Sequence, residues 1–281
     1  MTDRIDQATR QDVYARIDRR FDDFVEELRA YARVPTISAR REAEAEGAEA
    51  TRALLERHGV QARLMDVPGG PPLVIGEVAG ASSGPPLILY NHYDVQPVDP
   101  LEQWRRAPFD PVVEDGKLFA RGVADTKGNT AAQAFAQAAV REVVGRLPVS
   151  LRFMVEGEEE VGSPHLPAFA RQHPALFRGA GATIEGAGHT PQGVPEVYLG
   201  SKGILYVELK VRTAAVDQHS SLAASLPNPA WRLLEALRVI RDSAPRARPR
   251  LSSGRTRSTR ASGRRRTRSP RSSAARRGSD G

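Results

Sequence analysis

The run Pro86–Tyr90 is apolar on successive residues and leads directly into Asn91-His92-Tyr93-Asp94. A half-wet strand alternates apolar and polar side chains, so a strand that is apolar throughout must be covered on both faces. Such a strand needs helices on either side, and the chain supplies them. Val13, Ile17, Phe21, Phe24, Val25, Leu28 and Tyr31 recur every three or four residues, which predicts an amphipathic helix ending before Pro35. A second helix is expected from Glu42 to Arg57, stopped by Gly59, and an Ala-rich one over Thr126–Val144. Between them lie strand-like runs at Ala62–Val67, Leu73–Val78 and Val149–Val155. This alternation predicts an α/β fold, a mainly parallel sheet flanked by helices.

The pattern changes after Gly203. Ile204–Arg212 alternates apolar with polar residues, as a strand with one wet face does, and Asn228-Pro229 supplies an N-cap and an N1 proline for a helix reaching about Asp242. We divide the chain into a first domain (1–203), the start of a second, α+β module (204–242) and a tail (243–281). The tail holds 13 Arg, no Lys and one acid, so the chain's charge of +7 combines +12 from the tail with −5 from the rest. Its only apolar residue larger than alanine is Leu251, too little to fold on, and it is expected to be disordered. The chain has no cysteine, which excludes disulfides and thiolate metal sites. It has no apolar run of the ~18 residues that suggest a membrane span and no secretory signal at its start, so the expectation is cytoplasmic.

Four clusters carry possible chemistry. His92 and Asp94, two apart on an extended chain, point to one side, where one can ligate a metal and the other fix the imidazole tautomer; a polar loop is the plain alternative. Asp125 sits in a glycine-flanked turn and reads equally as a helix cap. Glu156, Glu158, Glu159 and Glu160 crowd the end of a strand, where they would repel one another without a cation. Glu185 follows a short apolar segment. Together they offer one imidazole and several carboxylates just past buried strands, a donor set for a divalent metal. A carboxylate left over could serve as general base, and the adjacent Glu159 and Glu160 permit that division because neighbouring side chains diverge. His58, His165, His173, His189, Trp104 and Phe109 read as surface or packing residues.

HYD, ARGVADTKG, EGEEEVGS, YLGSKG and DQHSS, in this order, resemble the motifs of the di-zinc family of aminoacylases, glutamate carboxypeptidases, cytosolic dipeptidases, acetylornithine deacetylases and succinyl-diaminopimelate desuccinylases. The resemblance runs from the N-terminus to about Asp242, and it implies that 1–203 is a metal-binding catalytic domain, incomplete here, and 204–242 the start of a lid or dimerisation domain. It implies two zinc ions, with manganese or cobalt as possible substitutes. It further implies that His92 binds one zinc with Glu185, that Glu160 binds the other, and that Asp125 bridges them and precedes a cis peptide. Asp94 would orient His92, Glu159 would be the general base for a zinc-activated water, and His219 would stabilise the oxyanion. Implied substrates are small peptides or N-acyl amino acids, the implied assembly is a homodimer, and EGEEEVGSPH is closest to the dipeptidase branch. The family's later segments, with a second zinc-binding histidine and a carboxylate-gripping arginine, have no counterpart here. The chain therefore reads as truncated or frameshifted after about residue 242, and is expected to be inactive for that reason. The alternative function is polyanion or nucleic-acid binding through the arginine tail, non-specific because no aromatic residue is interleaved there.

Overall fold

In the computed structural model, residues 6–240 are described apart from 187, 189, 191 and 205. The chain separates into two compact units, dividing between Ser201 and Lys202.

The first unit is built on a five-stranded sheet. Its strands are β1 (Gln61–Met65), β2 (Leu73–Val78), β3 (Leu87–His92), β6 (Leu151–Glu156) and β7 (Gly181–Ile184), in spatial order β1-β2-β6-β3-β7. A separate hairpin joins β4 (Val112–Glu114) to β5 (Lys117–Phe119). Its Asp115-Gly116 turn has both residues at positive φ, as a tight hairpin turn requires. The helices are α1 (Gln7–Arg19), α2 (Phe21–Ala32), α3 (Glu44–Arg57), α4 (Gly128–Val144) and α5 (Leu166–Gln172).

Two expectations for the first unit need correction. The sheet is mixed rather than mainly parallel: β3 pairs parallel with β6 and β7, but β2 runs antiparallel to both β1 and β6. Only residues 66–72 join β1 to β2, too few for the helical crossover that parallel neighbours require. The single helix expected through Val13–Tyr31 is two, because Arg20 leaves helical geometry (φ −115°, ψ 9°) and the chain turns between α1 and α2.

The apolar strands are covered on both faces, and the period of two shows how. Val74, Leu89, Phe153 and Val155 enter a core with Leu28, Tyr31, Leu54, Leu55 and Ala134 from α2, α3 and α4. Their neighbours Leu73, Ile75, Ile88 and Met154 point the other way, into a smaller core with Phe169 of α5.

In the second unit, α6 (Pro229–Ile240) begins where expected, and Asn228 Oδ1 accepts from Ala230 N at 2.9 Å. A third expectation fails in this unit: among the described residues, Ile204 and Tyr206–Arg212 are not in a strand and no described residue pairs with them, and an extended segment without a ladder partner is not held as one. The tail, 243–281, lies outside the described residues, as does His189. Among the described helices none is long and apolar enough to cross a membrane.

Candidate metal centre

Parallel pairing brings strand ends together. His92 is in register with Glu156 across β3 and β6, and Tyr90 with Ile184 across β3 and β7, so the residues after all three strands meet at one edge of the sheet. Ligands bind at this carboxyl edge in open α/β sheets.

His92 is the centre of the group and fully buried. Its Nε2 lies 2.9 Å from Asp125 Oδ1, 3.8 Å from Glu185 Oε1 and 3.9 Å from Glu159 Oε2. Its Nδ1 faces Asp94, 3.0 Å from the main-chain oxygen and 3.3 Å from Oδ1. Two sets of donor atoms lie within 4.8 Å of one another, His92 with Asp125 and Glu160, and His92 with Glu159 and Glu185.

Each carboxylate has its own support. The turn Val123–Lys127 leads into α4, and the peptide between Asp125 and Thr126 is cis. Thr126 Oγ1 donates to the His92 carbonyl (3.1 Å) and accepts from His92 N (3.2 Å), tying that turn to β3. Glu185 holds a left-handed conformation (φ 57°) uncommon for a side chain, fixed by Glu185 N donating to Tyr90 O at 2.7 Å. A Cβ on the next residue, Gly186, would run into Asn129 Oδ1, so a larger residue there would have to displace the Asn129 amide.

The acidic run is sorted by neighbours. Asp94 Oδ1 accepts from Glu159 N at 3.2 Å and Oδ2 from Glu160 N at 3.1 Å, so one buried carboxylate locks the acidic loop to the end of β3. Glu156 accepts from Tyr90 and from Ser163 Oγ (2.8 Å) beneath the site. Glu158 turns away to His165 Nδ1 at 2.9 Å. Glu160 accepts from Gln96 Nε2 at 2.8 Å. Glu159 is left facing the group without a hydrogen-bonded partner among the described residues.

The electrostatics are those of a site built around a cation. Burial raises Glu159, Glu160 and Glu185 above the usual carboxylate range, and repulsion among the acids adds to it while His92 offsets part. Burial opposes a charge on His92, but the Asp94 carboxylate and carbonyl outweigh it and push the imidazole up to about 9. One imidazole and four convergent carboxylate groups match a hard-to-borderline divalent ion.

Of the residues singled out from sequence, His92, Asp94, Asp125, Glu159, Glu160 and Glu185 come together in the first unit. His219 belongs to the second unit, where it is exposed and its Nδ1 accepts from Ser221 N at 3.2 Å. Sequence reasoning missed Gln96 and the Glu158–His165 pair. Gln96 could have been found: it lies two residues past Asp94, on the side of the chain that His92 and Asp94 share.

The family model described as "Peptidase family M20/M25/M40" matches residues 88–256, more than half of the chain and past Asp242, where the resemblance read from the motifs ends. The chain is 30% identical over 177 residues to the Beta-Ala-His dipeptidase of Homo sapiens, covering 62% of this chain and 35% of that protein. It is 29% identical over 226 residues to a Cys-Gly metallodipeptidase of Schizosaccharomyces pombe, covering 75% and 47%. Among solved structures, an M20 family metallo-carboxypeptidase from Sulfolobus solfataricus superposes with a TM-score of 0.72 at 35% identity, covering 78% of this chain and 50% of that one. The chain thus spans between about a third and a half of the length of these relatives.

Proposed function

The chain belongs to peptidase family M20/M25/M40, and on that premise we propose that it is built for metal-dependent hydrolysis of an amide bond in small peptides or N-acyl amino acids, of the dipeptidase type. The observation that carries this reading is the convergence of Asp125, Glu159, Glu160 and Glu185 on the buried His92. We assign His92, Asp125, Glu160 and Glu185 to holding the metal, zinc first, with manganese or cobalt compatible with the same donors. A divalent cation there would supply Lewis acidity, polarising the scissile carbonyl and making water a stronger nucleophile.

The side chains divide the remaining work. Glu160 is tethered by Gln96, whereas Glu159 is free to face the substrate. Burial raises the proton affinity of Glu159, which suits a group that takes a proton from attacking water and passes it to the leaving amine. Asp94 holds His92 by Nδ1, so Nε2 is the nitrogen presented to the metal. His219 is assigned to the oxyanion, and a homodimer to the protein, from the family motifs alone.

The test is a paired substitution on protein of measured metal content, assayed against a dipeptide panel. Glu159→Gln keeps shape but cannot take a proton; it should abolish turnover and leave metal content unchanged. Glu160→Gln should lower metal content first. Exchanged phenotypes would show that the two roles are reversed, and no turnover by the metal-loaded wild type would refute the activity.

A further inference from the structure

One cleft of the first unit, about 330 Å³ in volume, contains none of the metal-facing side chains, although Val123 and Ala124 of its wall directly precede Asp125. It lies between the loop carrying Trp104 and the β4–β5 hairpin, with Leu118, Phe119 and Val123 among its walls and Arg105, Arg106 and Glu114 sharing it. That volume falls within the range of small-molecule sites, which are mostly apolar with a few placed polar groups.

The cleft has the attributes of a prepared site. Trp104 is fixed in position: its Nε1 donates to Val98 O at 2.9 Å, and the Arg121 guanidinium lies 4.9 Å from the ring centroid. Arg121 is itself anchored by donating to Pro97 O at 2.9 Å. A wall held this way loses little freedom when a ligand stacks on it. Phe119 is 48% exposed although its hairpin is part of a folded unit. Arg106 is neutralised by Glu114 at 2.5 Å, but Arg105 forms no ion pair among the described residues.

We propose that this cleft binds a flat, apolar or aromatic molecule bearing one carboxylate. The aromatic walls take the ring, and the Arg105 guanidinium takes the anion.

The experiment is calorimetric titration of the full chain, stripped of metal, with 2-naphthoate and, separately, with the neutral 2-naphthalenemethanol. Absence of metal removes the other place where a carboxylate would bind, so the result stands apart from the hydrolase reading. Saturable one-to-one binding of both probes is expected. Phe119→Ser should weaken both by about tenfold or more, as loss of a buried phenyl contact does. Arg105→Ala, an exposed change that leaves the fold intact, should weaken the naphthoate alone by about fivefold. Absence of saturable binding, or naphthoate binding that is unchanged in Phe119→Ser, overturns the proposal. Equal effects of Arg105→Ala on the two probes overturn the carboxylate assignment.

Discussion

Replacing Asp94 with asparagine tests the device that joins β3 to the acidic loop. The carboxylate has two oxygens, one accepting from Glu159 N and one from Glu160 N, and Oδ1 also stands 3.3 Å from His92 Nδ1. Asparagine keeps one acceptor and turns an NH2 group toward the other backbone N–H, with no room to escape because Asp94 is buried. Orphaning a buried donor that had a charged acceptor costs about 1.5–3 kcal/mol. The lost attraction to an imidazolium at this distance is nominally about 5 kcal/mol at an effective dielectric near 20, and the imidazole limits that loss by shedding its proton. Lowering His92 from about 9 toward its ordinary value forfeits about 2–3 kcal/mol at pH 7, so with the orphaned donor the expected loss in stability of the metal-free protein at pH 7 is about 3–6 kcal/mol. Metal affinity should fall about 10–100-fold, because His92 loses the partner that orients it. Denaturant unfolding reads the first quantity and calorimetric metal titration the second, with Asp66→Asn, an exposed acid, as a control within about 0.5 kcal/mol of wild type. If Asp94→Asn matches that control in both assays, the carboxylate is not the clasp described here.

Three further outcomes are expected. Since His92 is held protonated up to about 9, metal uptake below that pH displaces a proton, so affinity should rise about tenfold per pH unit from neutrality and level off near 9; titration in buffers of different ionisation enthalpy measures the proton, and a flat profile would contradict the assignment. Gly157→Ala should cost about 1–3 kcal/mol by overpacking, because the added Cβ would lie 2.5 Å from Cζ and 2.7 Å from Cε2 of the buried Tyr93 ring, which is anchored by its hydroxyl to Pro72 O; unchanged denaturant stability would show that the ring can move aside. The two donor sets at this site share one imidazole, that of His92, so one tightly bound zinc per chain is expected, lost in Asp125→Ala; two tight zincs by metal analysis would show that the donor count is wrong.

The sequence by itself determined what is local. Residue types at Pro86–Tyr90 announced a strand covered on both faces, and the cores on either side of the sheet agree with that pattern. The chemistry of the metal centre was also legible, since an imidazole and carboxylates directly after buried strands are conspicuous in any order. What stayed hidden depends on chain direction and on long-range partners. The composition of β2 does not say whether it runs with or against β6; the short connection to β1 and the ladder decide it. Likewise Ile204–Arg212 has a strand's alternation yet no described partner, and alternation alone does not hold a strand. Within the acidic run, only the fold assigned Glu156 to Tyr90 and Ser163, Glu158 to His165, Glu160 to Gln96, and left Glu159 facing His92. Four glutamates in one loop are chemically identical, and what distinguishes them is which neighbour, far away in sequence, each one meets.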